Sequence, residues 1–318
     1  MATKEAAIAE GKAIADLRET ELWDRGSDAL EVMAAGNAGS DFVQRRLKEL
    51  RATDEQFRNA IPDAEVTRAK LDPSLGLAQL VAMAMQAYAD RPAVGQRATQ
   101  LVHDPRTGRT SRELLDHYES FTYADIWERA RALAAMWHRD EKRSLRAYDK
   151  LCVMAFAGVD FTIADLAATH NGTVVVPIQT NGALSTLQGI VQEVEPRWMA
   201  VSLENLNTAV ELVLTAHRPA GLLLFDYHPE VDSERETLEA ASARLREAGL
   251  DDLIVTIDDA YRIGRTVDPA PLFAEEDTHK KLCTIYYTSG STGLPKGVMW
   301  PEMMLKPMWR MHSEIPFC

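Results

Sequence analysis

The sequence predicts an α/β protein in which a parallel sheet carries helices on both faces and follows a helical N-terminal extension. From Lys150 onward, short apolar runs alternate with helical segments, the pattern of repeated strand–helix–strand units. The runs are almost continuously apolar, as expected of strands that are buried on both faces of a sheet. Hydrophobic residues make up 46% of the 318 residues and charged residues 26%, so the chain holds enough apolar material for a sizeable core.

The N-terminal extension, residues 1–73, is predicted to be helical. Ser40 and Asp41 can cap a helix whose apolar residues, beginning with Phe42, recur at helical spacing. The segment 59–62 ends in proline and terminates this helix. We therefore expect one helix from Ser40 to that segment.

Three elements are expected between the extension and the sheet. The segment 74–89 is predicted as a helix, which the proline of 90–92 stops. The turn-forming residues 104–108 indicate the tip of a hairpin in a polar stretch. Thr122 begins the next helix, because its hydroxyl can cap the first turn and Asp125 stands where a capping box has its acidic partner.

The first strand–helix–strand unit follows Lys150. A strand at 151–157 leads through Gly158 into a helix at 161–170, for which Asp160 is the expected cap. Gly172 ends that helix in the left-handed conformation that glycine allows, and the next strand follows at once. The later segments repeat this alternation, with predicted helices at 184–194, 205–216 and 233–248 and predicted strands at 173–178, 198–202, 222–226 and 253–257.

Charge and composition exclude several classes of protein. Against 35 Lys and Arg stand 48 Asp and Glu, a net charge of −13, which argues against a nucleic-acid-binding protein. The longest apolar stretch is too short and too polar to span a membrane, and the charged N-terminus does not resemble a signal peptide. Three cysteines and eight histidines show no metal-ligand spacing, so no metal site is expected. These observations predict a soluble, cytoplasmic protein that neither binds nucleic acid nor spans a membrane.

The segment 288–297, which follows a predicted strand at 282–287, carries the chemistry. Its three glycines allow unusual backbone dihedrals and a close approach to a ligand, and its hydroxyl and amide groups can form an anion-binding nest. Lys296 adds a positive charge suited to a phosphate oxygen. Two other phosphate loops do not match, because Pro295 stands where the Walker pattern needs glycine and the glycine spacing differs from GxGxxG.

The string YTSGSTGLPKG at 287–297 resembles the phosphate-binding signature of the adenylate-forming (AMP-binding) superfamily. That superfamily includes acyl-CoA synthetases, peptide-synthetase adenylation domains, luciferases and carboxylic acid reductases. The segments 90–93, 121–123 and 172–179 resemble the opening of its adenylation core. The segment 225–230 is similar to carboxylic acid reductases in particular, and the helical extension around 41–50 fits that family better than ordinary acyl-CoA ligases. The chain as a whole most resembles the N-terminal part of a carboxylic acid reductase or fatty-acid–CoA ligase.

This resemblance implies ATP-dependent activation of a carboxylic acid to an acyl-adenylate, with Mg²⁺ as the metal that accompanies ATP. In a carboxylic acid reductase the acyl group then passes to a phosphopantetheine thiol and is reduced by NADPH to an aldehyde. Lys296 would take the catalytic role of stabilising phosphate charge. The residues implied to bind the ATP phosphates are Thr288, Ser289, Gly290, Ser291, Thr292, Gly293, Lys296 and Gly297.

The resemblance also implies a domain organisation. Residues 74–318 would form a partial adenylation domain that lacks its C-terminal part and the small mobile domain, so the chain is expected to be truncated. Carrier and reductase domains are expected in the full-length protein. We expect this chain alone to have little or no turnover.

Two alternatives remain open at this point. A fatty- or aryl-acid CoA ligase uses the same first step with free coenzyme A as the acceptor. A non-catalytic nucleotide-binding fragment would keep the loop without the reaction. The sequence does not identify the carboxylic acid.

Overall fold

The computed structural model describes residues 40–288 and 295–311 of the chain. These residues fall into two compact units, of which one contains the described residues 40–67 and the other is Arg68–Met311. The predicted boundary between an extension of residues 1–73 and a partial adenylation domain of residues 74–318 stays a prediction.

Three helices open the described chain: α1 (Ser40–Thr53), α2 (Glu55–Ala60) and α3 (Ala64–Lys70). The expectation of one helix from Ser40 to the segment 59–62 is wrong, because the helix is interrupted at Asp54. The Asp54 carboxylate accepts a hydrogen bond from the backbone N–H of Phe57 at 2.9 Å, so it caps a new helix.

The next elements agree with the sequence pattern. Helix α4 (Leu77–Ala87) is shorter than the predicted 74–89, and β1 (Pro92–Asp104) and β2 (Arg109–Thr122) form the expected antiparallel hairpin. Gly108 closes its tip with a φ of 69°, a value that favours glycine. Helix α5 (Tyr123–Arg139) begins with the predicted capping box, in which the Thr122 hydroxyl and the Asp125 backbone N–H are 3.1 Å apart.

Alternating strands and helices build the rest of the chain, as the sequence predicts. In chain order they are β3 (Lys150–Met154), α6 (Val159–Asn171), β4 (Val174–Pro177), α7 (Leu184–Val194), β5 (Trp198–Ser202), α8 (Leu206–Thr215), β6 (Gly221–Phe225), α9 (Asp232–Glu247), β7 (Ile254–Thr256), α10 (Ile257–Gly264), β8 (Leu282–Thr288), β9 (Lys296–Pro301) and α11 (Glu302–Met311). Two short 3₁₀ turns lie at Leu203–Asn205 and Thr278–Lys280.

The seven strands from β3 to β9 form one sheet in the order β7-β6-β5-β3-β4-β8-β9. Neighbouring strands from β7 to β8 are parallel, and β9 is antiparallel to β8. The chain moves from β3 to β4 on one side and then returns to β5 on the other, which is the doubly wound arrangement.

Alternate residues of each central strand face two separate apolar clusters. In β3, Leu151 and Val153 pack in a cluster with residues of α4, α5, α6 and α10. Cys152 and Met154 pack on the opposite face with residues of α7, α8 and α9. The helices therefore cover both faces of the sheet, which confirms the predicted α/β class.

Some local features differ from what the sequence predicts. Asp160 does not cap α6: Gly158 is the N-cap, and Asp160 lies in the first turn of the helix. Helix α10 was not expected, because its cap Thr256 lies inside the apolar run that predicts strand 253–257. Strand β9 was not expected either, because it forms by pairing with β8 and its first four residues are exposed.

The described part of the chain contains no helix that is both long and apolar enough to cross a membrane.

Candidate phosphate-binding site

The carboxyl ends of the parallel strands meet at one edge of the sheet. Because β8 runs parallel to β4, with Thr284 opposite Val175, β8 ends at this same edge. Ligands of open α/β sheets bind outside the carboxyl ends of the strands. The fold therefore brings the end of β8 to the edge where a ligand is expected.

The β8–β9 hairpin carries the residues that the sequence singles out. Thr288 ends β8 and lies opposite Lys296, which begins β9, and both side chains are exposed. Two of the predicted phosphate-binding residues are thus brought together at the base of the loop that joins the strands. The other predicted residues of the loop, Ser289, Gly290, Ser291, Thr292 and Gly293, lie outside the described residues.

Lys296 is placed where its charge can meet an anionic ligand. Within residues 40–288 and 295–311, no acidic side chain forms an ion pair with its ammonium group, and the residue is exposed at the start of β9. A compact ammonium group of this kind is a suitable partner for a phosphate oxygen. The hydroxyl of Thr288 across the hairpin adds a donor on the neighbouring strand.

At Gly297, the last residue of the predicted signature, close packing leaves little room for a side chain. Gly297 lies opposite Tyr287 in the hairpin. A Cβ atom at this position would lie 2.9 Å from Cγ2 of Ile285 and 3.3 Å from Cζ of Tyr287. Any side chain here would push on the ring or on the isoleucine, so the glycine lets Tyr287 lie close to the β9 backbone beside Lys296.

A pair of acidic residues lies at the same edge of the sheet, after β3 and β6. The Asp160 carboxylate accepts a hydrogen bond from the backbone N–H of Asp226 at 3.1 Å. Burial raises the pKa of Asp160 to about 6 and also raises the pKa of Asp226, where Arg112 and His228 oppose the effect. This contact joins the turn after β6 to the first turn of α6 at the edge of the sheet.

Sequence reasoning assigned Asp160 a different role and gave Asp226 none. The signal that could have found the pair is positional, because Asp226 ends one predicted parallel strand and Asp160 lies shortly after the end of another. No group of three or more His, Cys, Asp or Glu side chains that could hold a metal ion occurs among the residues the structure describes.

Comparison with known proteins places these features in a family. The family model described as AMP-binding enzyme matches residues 85–305. The carboxylic acid reductase of Mycobacterium tuberculosis is 43% identical over 274 residues, which are 85% of this chain and 22% of that protein. The 4-hydroxybutyrate–CoA ligase 2 of Metallosphaera sedula is 28% identical over 179 residues, which are 56% of this chain and 29% of that protein.

A solved structure gives the same result for the fold. The adenylation domain of the carboxylic acid reductase from Segniliparus rugosus, in complex with AMP and a co-purified carboxylic acid, matches with a TM-score of 0.79 and 34% identity. The match covers 84% of this chain and 42% of that one, and the chain spans only 22% of the length of the M. tuberculosis reductase. The chain therefore belongs to the family of AMP-binding enzymes, and it is similar to the adenylation domains of carboxylic acid reductases.

Proposed function

We propose that this chain supplies the part of an adenylation domain that binds the β- and γ-phosphates of ATP. The longer protein would activate a carboxylic acid as an acyl-adenylate, which is the first step in its reduction to an aldehyde. Within the loop, Thr288, Ser289, Ser291, Thr292 and Lys296 would contact the phosphates. The three glycines, Gly290, Gly293 and Gly297, would provide the backbone shape.

One observation carries the proposal. Thr288 and Lys296 lie opposite each other at the base of a hairpin, at the carboxyl edge of a doubly wound sheet. A hydroxyl donor suits a polyphosphate at that edge, as does an ammonium group that forms no ion pair with any of the residues the structure describes. The 43% identity to a carboxylic acid reductase supports the choice of reaction.

The proposed chemistry follows from the weakness of a carboxylate as an electrophile. An oxygen of the carboxylate attacks the α-phosphorus of ATP, and the bond from that phosphorus to the pyrophosphate oxygen breaks. Negative charge then collects on the departing pyrophosphate. Lys296 and the hydroxyl groups of the loop would stabilise that charge as it develops, which is how a fixed cation lowers such a barrier.

The cofactors of the proposal are divided between this chain and the longer protein. Mg²⁺ would arrive with ATP and neutralise phosphate charge when bound, and we assign it no ligand among the described residues. Phosphopantetheine and NADPH would serve the later transfer and reduction steps, together with carrier and reductase domains. No residue of this chain is assigned to them.

A CoA ligase is the second candidate, because it shares the adenylation step. The higher identity to the reductase, 43% against 28% for the ligase, favours the first candidate. Two reactions separate these candidates: with coenzyme A a ligase yields an acyl-CoA thioester, whereas with a phosphopantetheine-bearing carrier domain, a reductase domain and NADPH a reductase yields an aldehyde. A non-catalytic nucleotide-binding protein would bind ATP and exchange no pyrophosphate.

Binding of MgATP to the chain of 318 residues tests the proposal directly. Calorimetric titration should show binding that Lys296→Ala weakens by about tenfold or more, because one charge-assisted contact is lost. Lys280→Ala, which removes an exposed lysine before the start of β8, is the matched control and should leave the affinity unchanged. Equal affinities in the wild type and the Lys296 variant would refute the role of this lysine.

The chemistry is tested by exchange of labelled pyrophosphate into ATP, with this chain held in a complete adenylation domain. Exchange should depend on an added carboxylic acid, with aromatic and fatty acids as the first candidates. Lys296→Ala should slow it by about a hundredfold, which is the usual cost of removing a group that stabilises transition-state charge. Exchange that does not require a carboxylic acid would contradict the proposed reaction.

A further inference from the structure

Tyr287 forms a bridge across the hairpin that carries Lys296. It is the second-last residue of β8 and lies opposite Gly297 of β9. A Cβ atom on Gly297 would lie 3.3 Å from Cζ and 3.5 Å from the hydroxyl oxygen of Tyr287, so the ring lies against the β9 backbone. The next pair along the hairpin is Thr288 with Lys296. The tyrosine ring therefore rests one residue away from the proposed phosphate contacts.

The far end of the tyrosine is held by a helix on one face of the sheet. The Tyr287 hydroxyl donates a hydrogen bond to Oε2 of Glu193 at 3.1 Å, and Glu193 lies in α7. The tyrosine also packs against the apolar cluster that contains Val191 and Val194 of the same helix. A phenol that donates to a carboxylate forms a charge-assisted hydrogen bond, which is stronger than a neutral one. Burial and the Glu193 carboxylate raise the pKa of Tyr287, so the phenol keeps its proton and remains a donor.

This contact matters because Lys296 has few restraints of its own. The lysine is exposed, and no ion pair holds its side chain within the described residues. The position of Lys296 is set by the backbone of β9, which pairs with β8 at this end. The Tyr287 ring packs on that backbone at Gly297, the residue next to Lys296. Charge stabilisation depends on donors held close to their productive geometry by supporting contacts.

We propose that Tyr287 and Glu193 are positioning residues, which hold the base of the β8–β9 hairpin so that Lys296 and Thr288 meet the ATP phosphates in a fixed geometry. The inference rests on the proposed phosphate-binding function and extends it to residues that do not touch the ligand. It assigns α7, on the opposite side of the sheet from α6, a part in phosphate recognition.

The test measures the affinity of the chain for MgATP and for magnesium pyrophosphate, which share the phosphates and differ in the nucleoside. Tyr287→Phe and Glu193→Ala each remove the hydrogen bond and should weaken both ligands by about fivefold, the value of one such bond. The double variant should bind no more weakly than either single variant. Glu193→Gln keeps an oxygen acceptor and should bind nearly as well as the wild type.

Two comparisons separate positioning from a general loss of structure. In a Lys296→Ala background, Tyr287→Phe should cause a clearly smaller loss of affinity than in the wild type, because part of its effect passes through the lysine. Tyr286→Phe, one residue earlier in the same strand, is the matched control and should bind like the wild type. Urea unfolding should give all variants closely similar free energies of unfolding.

The outcomes that overturn the proposal are distinct from those that overturn the proposed function. If the wild type binds neither ligand, the phosphate-binding function fails and this inference fails with it. If the wild type binds but Tyr287→Phe and Glu193→Ala bind equally well, only the positioning role is refuted. It is also refuted if the effect of Tyr287→Phe persists undiminished without Lys296, or if Glu193→Gln is as weak as Glu193→Ala.

Discussion

The central strands of the sheet and the β8–β9 hairpin at its edge are held in different ways. Every residue of β5 and β6 is buried, because helices cover both faces of those strands. The first four residues of β9 are exposed, and its place depends on backbone pairing with β8 and on a few side-chain contacts. This difference in burial indicates different roles: the central strands provide stability, whereas the hairpin provides the proposed binding residues. Substitutions in the two regions should therefore affect different measurements.

The largest effect is expected from Trp198→Ala in β5. Trp198 is fully buried, its ring fills the space above Gly221, and its indole N–H donates to the carbonyl of Arg143 at 2.6 Å. Its truncation should lower the free energy of unfolding by about 3–5 kcal/mol, because a large cavity replaces the ring. Urea unfolding measures this loss, and the fraction that stays folded should bind MgATP with unchanged affinity. Weaker binding by that folded fraction would break the separation between the two regions.

The next effect concerns Asp160, at the carboxyl edge between the two regions. Burial raises its pKa to about 6, whereas an unfolded aspartate titrates near 3.9, so the folded protein binds the proton more tightly. Stability from this group is therefore present in full below about pH 4 and is lost as the pH rises towards 6 and above. Asp160→Asn removes that loss and keeps an acceptor for the N–H of Asp226.

The stability gain of Asp160→Asn over the wild type should thus be larger at pH 8 than at pH 4, by on the order of 2 kcal/mol. Urea unfolding of both proteins at the two pH values measures it. Asp165, whose pKa burial also raises to about 6, remains in both proteins and cancels in the difference. A gain that is the same at pH 4 and pH 8 would contradict a buried, titrating Asp160.

A smaller loss of stability is expected from Gly297→Ala in the hairpin. The new Cβ would lie 2.9 Å from Cγ2 of Ile285, a side chain that can shift at some cost. We expect a loss of about 1 kcal/mol in the free energy of unfolding and a several-fold loss of MgATP affinity, because the residue adjoins Lys296. Gly189→Ala in α7 is the matched control, since its Cβ would meet no atom within 4 Å. Intact affinity in Gly297→Ala would show that the hairpin tolerates displacement.

The smallest effect is expected outside both regions, at the cap of α5. Thr122→Ala removes the hydroxyl that accepts from the backbone N–H of Asp125, which should cost about 1 kcal/mol or less of stability. Thr122→Ser keeps the hydroxyl and should retain most of that stability. Neither variant should alter MgATP affinity, and a change in affinity would mean that stability and binding are coupled through α5.

Much of the fold could be predicted because its central elements follow simple periodic rules. Helix α7 and strand β5 have the predicted ends, since buried apolar runs and turn residues mark them clearly. Strand β9 could not be predicted in this way, because its exposed residues show no burial pattern and its structure comes from pairing with β8. Helix α10 could not be predicted because its N-cap, Thr256, is also the last residue of strand β7, so no turn separates the two elements.

For the candidate site, the sequence predicts the residues of the loop and does not predict the contacts around it. The resemblance to a known signature predicts a role for Lys296 and its neighbours, because that loop has a distinctive sequence, and this role stays a prediction. The contact between Glu193 and Tyr287 joins residues 94 positions apart, and nothing in local periodicity links them. The same is true of Asp160 and Asp226, which meet only because β3 and β6 end at one edge of the sheet. Such contacts depend on tertiary structure and are accessible only from the fold.

Strand β9 has one more consequence, which concerns self-association. It is the outermost strand of the sheet among the described residues, and its apolar residues Val298 and Met299 are exposed. An exposed apolar edge strand can serve as a template for pairing with another chain, and lysine or proline at such an edge opposes that pairing. Lys296 and Pro301 occupy the two ends of β9. We therefore expect the lysine proposed to bind phosphate to oppose self-association as well, so that Lys296→Ala should scatter more light than Lys280→Ala at the same concentration.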